Sequence, residues 1–246
     1  TAAEQRDLYQ ERSGRFVPLY LGTGSNSTRH TQYDTRHAEI LGADGVLVVS
    51  PYYNKPTQEG LFQHFRAVAH STSLPVMVYN IPGRTGVNIE TETMLRIVNA
   101  CDNVVAVKEA SGNRDQIKDV IKKLKEARPE ISIMSGDDAL TPFVMRQGGD
   151  GVISVVSNVV PADVVKQILL HTLLQPELTL EITQKLDPLI KACFIETNPG
   201  PIKYMMNRLG FDCGPLRLPL VMPTELSQRQ IDRVLHPYGL LKKPLL

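Results

Sequence analysis

Six stretches of the chain are apolar almost without a break: RFVPLYLG (15–22), DGVLVVS (44–50), LPVMVYN (74–80), NVVAVKEA (103–110), ISIMSG (131–136) and DGVISVVS (150–157). A strand with one face in water alternates between apolar and polar residues. Continuous runs of this length suit strands covered on both faces, as in a parallel sheet. Between the runs the period lengthens, and helices are predicted over 27–41, 58–71, 90–100, 113–127, 138–147 and 161–174. In the fourth of these, Ile117, Val120, Ile121 and Leu124 repeat at i, i+3, i+4 and i+7, the stripe of a helix lying on a core.

Repeated strand–helix units imply a doubly wound open sheet or a (β/α)8 TIM barrel. Residues able to do chemistry follow several strands: Ser50-Pro51-Tyr52-Tyr53, Tyr79-Asn80, Lys108-Glu109, Ser135-Gly136-Asp137-Asp138 and Ser154. In a barrel all carboxyl ends face one opening, where such groups converge. In an open sheet they meet only near a switch point. The barrel is the better reading. It needs eight strands, and the sequence shows six, so two strands and a helix are expected ahead of residue 1. The opening TAAEQRDLYQE reads as a helix in which Thr1 and Glu4 have capping-box spacing. After residue 175 the strand signal stops. The text then reads as helices broken by the proline-punctuated CGPLRLPLVMPT, with Pro237 ending or kinking the last one. The domain reading is residues 1–174 for the barrel, with six of its eight strands, and 175–246 for a helical appendage.

Charge adds little to this picture. The formal net charge is +1 and no basic tract is present, so neither nucleic acid nor a membrane surface is expected as a partner. No apolar run approaches the roughly 18 residues that span a bilayer. Cys101, Cys193 and Cys213 are odd in number, scattered and without a CxxC pair, which suits a reducing, cytoplasmic setting.

Candidate chemistry centres on VVAVKEASGN, where an apolar strand ends in Lys108. A lysine held in a barrel mouth is partly desolvated, which favours its neutral amine. A neutral amine can attack a ketone and form a Schiff base. The bland reading is a lysine that snorkels or pairs at the rim. Tyr79 closes the preceding strand and is expected beside Lys108, where a phenol can relay protons. Arg84, in NIPGRTG, offers a guanidinium fork for a substrate carboxylate. GTGSNST (22–28) lacks the third glycine of a dinucleotide loop and the lysine of a P-loop, so it reads as a small-residue turn with Ser27 or Thr28 capping a helix. His30 and His37 lie one heptad apart, a spacing typical of a solvated helix face. The acids of SGDD read as turn and cap residues. No metal and no cofactor are expected.

Taken in order, GTGSNST, SPYYNKPTQEGL, YNIPGRTG, VKEASGN, SGDDAL, GGDGVISV, ETNPGPIK and GPLRLPL resemble the dihydrodipicolinate synthase family across essentially the whole chain. These are pyruvate-dependent class I aldolases, related to N-acetylneuraminate lyase. The resemblance implies a (β/α)8 barrel with a C-terminal helical domain, usually assembled as a homotetramer of two tight dimers. It implies condensation of pyruvate with aspartate semialdehyde in lysine and diaminopimelate biosynthesis. It implies Lys108 as the Schiff-base lysine, Tyr79 as the proton-shuttling tyrosine, and Arg84 as the holder of the semialdehyde carboxylate. Tyr53 would reach across the tight dimer, and the backbone of Ile153 would lie near the lysine. Gly136, Asp137 and Asp138 would line the semialdehyde side. Asn26 and Tyr52 fall where the family binds feedback lysine. His30 stands where lysine-sensitive members carry glutamate, so weak or absent feedback is expected. The family's Gly-Thr-Thr-Gly-Glu motif is not found in these residues; its position would fall just before residue 1. Two alternatives stay open: a related Schiff-base aldolase acting on a sugar acid or another oxo-acid, and an impaired homologue serving as a scaffold subunit.

Overall fold

The computed structural model describes residues 2–241. The capping box expected at Thr1 lies outside the described residues. Helix α1 (Ala2–Ser13) is followed by β1 (Tyr20–Gly22), α2 (Thr28–Ile40), β2 (Gly45–Val49), α3 (Gln58–Ala69), β3 (Val76–Asn80), the short α4 (Pro82–Thr85) and α5 (Thr91–Ala100). Then come β4 (Val104–Glu109), α6 (Arg114–Ala127), β5 (Ser132–Ser135), α7 (Thr141–Arg146), β6 (Gly151–Val152), α8 (Pro161–Thr172), α9 (Pro176–Cys193), α10 (Gly200–Arg208) and α11 (Glu225–Leu235). The strands form one sheet in the order β1-β2-β3-β4-β5-β6. The ladders from β1 to β5 are parallel. A doubly wound sheet reverses its strand order at a switch point. Here the order never reverses, which is the connectivity of a (β/α) barrel wall, with six strands among the described residues.

Among the described residues two compact units are present: 2–136 with 147–151, and 137–146 with 152–241. In the first, one face of the strands is sealed by the helices: Val46, Val48, Val76, Val78, Val104 and Val107 are buried. Helix α3 covers part of it with Leu61, His64, Phe65 and Val68, a run spaced three, one and three apart along one helical face. Fully burying a side chain such as Leu61 or Phe65 contributes about 1.5–3 kcal/mol. The stripe Ile117, Val120, Ile121 and Leu124 of α6 is buried as its spacing predicts. Two polar side chains stitch the amino ends of the strands. Arg128 donates to the carbonyls of Val98, Cys101, Asp102 and Val104. Asn103 donates to those of Ala69, Thr72 and Leu74. Arg128 thereby satisfies carbonyls at the end of α5 that the helix itself leaves open.

The second unit is helical. Val156, Val159, Val164, Ile182, Leu186, Leu189, Met205, Ile231 and Leu235 form its core. The division at residue 174 follows the end of the strand signal, whereas packing groups α7 and α8 with the later helices. Helix α11 ends at Leu235 and tightens into a 3-10 turn over His236–Tyr238, where Pro237 was expected to end it. Among the described residues no helix is long and apolar enough to cross a membrane.

Two strands are shorter than their apolar runs. Of 15–22 only Tyr20–Gly22 pairs, because Pro18 has no N–H to give a ladder. Of 150–157 only Gly151–Val152 is strand. The backbone N–H groups of Val155 and Val156 donate instead to the buried Asp138 carboxylate, at 2.8 and 3.3 Å, and the chain turns into a 3-10 helix.

Candidate functional site

The ladder sets the site. Tyr79 of β3 is the register partner of Lys108 of β4, and Lys108 in turn pairs with Met134 of β5. Successive residues of a strand point to opposite faces. The face holding Leu47, Val49, Tyr79 and Lys108 is only partly buried, while the alternate residues lie under the helices. The Lys108 Nζ stands 4.1 Å from the centroid of the Tyr79 ring, over its face. A lysine in this position gains from the ring's quadrupole when charged and is close to a phenol when neutral. Burial holds the Tyr79 phenol above its ordinary pKa, and the Arg84 guanidinium works against that rise.

A cavity of about 360 Å³ opens beside the pair, lined by Gly22, Gly24, Leu47, Val49, Tyr52, Tyr79, Ile81, Arg84 and Thr85. Its size suits small metabolites. Arg84 comes from α4, a single turn that Gly86 closes in the left-handed conformation at φ 76°. Thr85, buried, fastens that turn by donating to the Val87 carbonyl at 2.9 Å. The same turn receives the tyrosine loop, because the Tyr53 N–H donates to the Thr85 carbonyl at 3.1 Å. Gly24 passes so close to β2 that a Cβ there would sit 2.5 Å from the Val49 nitrogen, so the GTG turn needs glycine at that point. Gly136 is equally tight: a Cβ would lie 2.7 Å from that of Ala110 and 3.1 Å from Lys108 Cε.

Lys108, Tyr79, Arg84, Tyr52 and Gly136 therefore gather at the carboxyl ends of the strands in the first unit. Tyr53 does not join them. It is 87% exposed, and its φ of 74° places a bulky residue in the left-handed region. Such a backbone costs of order 1–3 kcal/mol and is held only where the surroundings require it. Tyr52, expected with Asn26 and His30 at an effector position, lines the cavity. The Asn26 carbonyl accepts from the Asn54 amide at 2.9 Å, and His30 is exposed on α2, whose N-cap is Ser27. In the second unit Asp137 caps the 3-10 turn at Ala139, Asp138 accepts from Val155 and Val156, and Ile153 lies in the loop after β6.

Sequence reading missed the polar layer on the other side of the ladder. Asn80 and Glu109, one residue past Tyr79 and Lys108, are 0% and 1% exposed and bonded to each other at 3.2 Å. Residue parity was the available signal: if Tyr79 and Lys108 face the opening, their neighbours must face the helices.

Comparison with known proteins agrees with this arrangement. The model of the dihydrodipicolinate synthetase family matches residues 8–237. The 4-hydroxy-tetrahydrodipicolinate synthase of Kosmotoga olearia is 44% identical over 245 residues, covering 98% of this chain and 83% of its own. The crystal structure of dihydrodipicolinate synthase from Thermotoga maritima superposes with a TM-score of 0.91 at 45% identity, covering 98% of this chain and 83% of that one. A monomeric dihydrodipicolinate synthase variant gives the same TM-score, 0.91, at 45% identity, with 97% and 81% covered. With a lysine laid over a tyrosine at adjacent strand ends and a family match over nearly its full length, the chain belongs to the dihydrodipicolinate synthetase family.

Proposed function

We infer that the chain condenses pyruvate with L-aspartate 4-semialdehyde to give 4-hydroxy-tetrahydrodipicolinate, the activity for which its relatives are named. The observation that carries the reading is the Lys108 amine placed over Tyr79 on a shared rung of neighbouring strands, with Tyr79 lining a small cavity.

Lys108 adds to the C2 carbonyl of pyruvate, and the carbinolamine loses water to leave a protonated imine. The imine draws electrons from C3, which gives up a proton and becomes an enamine carbon. That carbon attacks the aldehyde of the second substrate, whose oxygen takes up a proton. The amino group of the semialdehyde portion then attacks the imine carbon and expels the Lys108 amine, closing the ring with one water released overall. Tyr79 moves the protons of carbinolamine collapse. A phenol whose pKa is raised by burial keeps its proton at neutral pH and can lend it. Arg84 receives the semialdehyde carboxylate, which it can bind as a fork. Gly136, Asp137 and Asp138 are assigned to the semialdehyde side of the site and the backbone of Ile153 to the neighbourhood of the lysine, as the family resemblance implies. Tyr53, exposed on its own chain, serves a neighbouring subunit in a tight dimer of a homotetramer. Asn26, Tyr52 and His30 form a weakened effector position. The working place is the cytoplasm, in keeping with three free cysteines.

Borohydride reduction in the presence of pyruvate tests the covalent step. The parent protein gains the mass of a reduced pyruvyl adduct on Lys108, and Lys108→Ala gains none. Turnover of aspartate semialdehyde, but not N-acetylneuraminate, then separates the synthase from a sugar-acid aldolase. Absence of the adduct in the parent would leave a scaffold role.

A further inference from the structure

Directly behind the reactive pair lies a buried polar cluster that the condensation does not use. Glu109 accepts from the Ser111 N–H at 2.7 Å and from Asn80 Nδ2 at 3.2 Å. Asn80 Nδ2 also donates to Asn88 Oδ1 at 2.9 Å, and Asn80 Oδ1 accepts from the Ile89 N–H at 3.0 Å. Asn88 is tied to Gln116 of α6 by a donated bond at 2.7 Å and an accepted one at 3.1 Å. Every contact Glu109 makes here is to a donor, the arrangement that suits an ionised carboxylate. Burial pushes the Glu109 carboxyl upward, and Ser111 and Asn80 oppose that rise.

The ladder beneath explains why such a cluster is needed. The register of β3 and β4 slips near its start: Val76 faces Val104, but Met77 faces Ala106. Val105 is thus an extra residue, as in a bulge. Beyond this point a slip of one residue in the pairing would turn Lys108 toward the helices. Asn80 and Glu109 occupy the last rung of that ladder, next to the Tyr79–Lys108 rung.

We propose that Asn80 and Glu109 are positioning residues, a cross-strand clamp that fixes the last rungs of β3 and β4 so that the Lys108 amine stays over the Tyr79 ring. The clamp rests on the Schiff-base reading for its purpose, though not for its geometry. Glu109→Gln leaves one acceptor for two donors, so its amide N–H stands against either the Asn80 amide or the Ser111 N–H, donor against donor. Asn80→Asp sets two carboxylates face to face. The double variant exchanges the partners. The carboxylate it places on β3 accepts from the amide it places on β4 and from the Ile89 N–H. The oxygen of that amide accepts from the Ser111 N–H. The Asn88 and Gln116 amides can turn over as a pair, at the loss of the bond that Gln116 Nε2 donates to the Ile89 carbonyl at 3.2 Å.

Two rates are measured on the full chain: borohydride-trapped pyruvate adduct, and acetylation of Lys108 by an activated ester, read by peptide mass. The expected result is a fall of about 10- to 100-fold in trapping for each single variant. The acetylation rate also departs from the parent's in both single variants. In the double variant both rates move back towards the parent's, by at least about threefold from the worse single variant, a recovery that loss of packing alone would not produce. Single variants that match the parent in both rates overturn the clamp, as does a double variant that recovers nothing over the worse single variant or fails to fold. If the parent itself traps no pyruvate, the functional reading falls, and the acetylation rates decide the clamp.

Discussion

His64 of α3 should make the protein acid-sensitive over a defined range. The side chain is 4% exposed and stacked edge-on against Phe65. Its Nδ1 shares a hydrogen bond of 2.9 Å with the Thr28 hydroxyl, and its buried Nε2 has no partner. A charged imidazole would leave an N–H of Nε2 unsatisfied in apolar surroundings, so burial lowers its pKa from 6.5 to about 4. Above pH 6.5 the ring is neutral in both folded and unfolded chains. As the pH falls from 6.5 towards 4, the unfolded chain takes up a proton that the folded chain refuses, and stability is lost. The gap between 6.5 and about 4, at 1.36 kcal/mol for each pH unit, corresponds to about 3 kcal/mol. His64→Gln keeps a polar group for Thr28 but cannot titrate. The assay is urea unfolding of parent and variant from pH 7.5 to 4. The variant starts about 1 kcal/mol less stable, with one hydrogen bond disturbed. The two curves then converge and cross as the pH falls. Curves that run parallel through the whole range would refute the argument, because the remaining histidines are common to both proteins.

Three other outcomes are expected. Gly136→Ala forces a methyl against Ala110 and the Lys108 stem, so pyruvate trapping should slow by about tenfold or more; an unchanged rate would mean that the loop moves aside freely. Arg84→Ala should raise KM for the semialdehyde by about 10- to 100-fold and leave the pyruvate adduct intact, since a charge-assisted fork is worth about 1.5–3 kcal/mol. Loss of pyruvate trapping in that variant would reassign Arg84. Calorimetric titration with L-lysine should detect only weak binding, because His30 offers no carboxylate for an ammonium, and micromolar affinity would show that other groups serve instead.

The alternation of runs and helical stripes was readable because apolar burial on both faces writes itself directly into composition. Thus β2, β3 and β4 fall within a residue or two of their runs. What could not be read was long-range pairing. Nothing near residues 150–157 announces that Asp138, well before them, will take the N–H groups of Val155 and Val156 and cut β6 short. Lys108 and Tyr79 stood out as polar residues ending apolar runs. Glu109 ends the same run, yet it reads as a rim acid, since a charge is assigned to water unless its partner is known. Its partner Asn80 lies 29 positions away and becomes adjacent only through the ladder. Tyr52 and Tyr53 are identical in type, and only the backbone decides that one lines the cavity while the other points outward.

One planar guanidinium, that of Arg128, gathers four carbonyls at the lower end of the first unit. Letting go of any one strains the geometry of the others, so this end opens all together or stays shut. At the other end the tyrosine loop is held by two bonds, from the Tyr53 N–H to the Thr85 carbonyl and from the Asn54 amide to the Asn26 carbonyl. Lifting the tyrosine loop therefore breaks fewer bonds than opening the base, and traffic in and out of the pocket can proceed without loosening the floor beneath it.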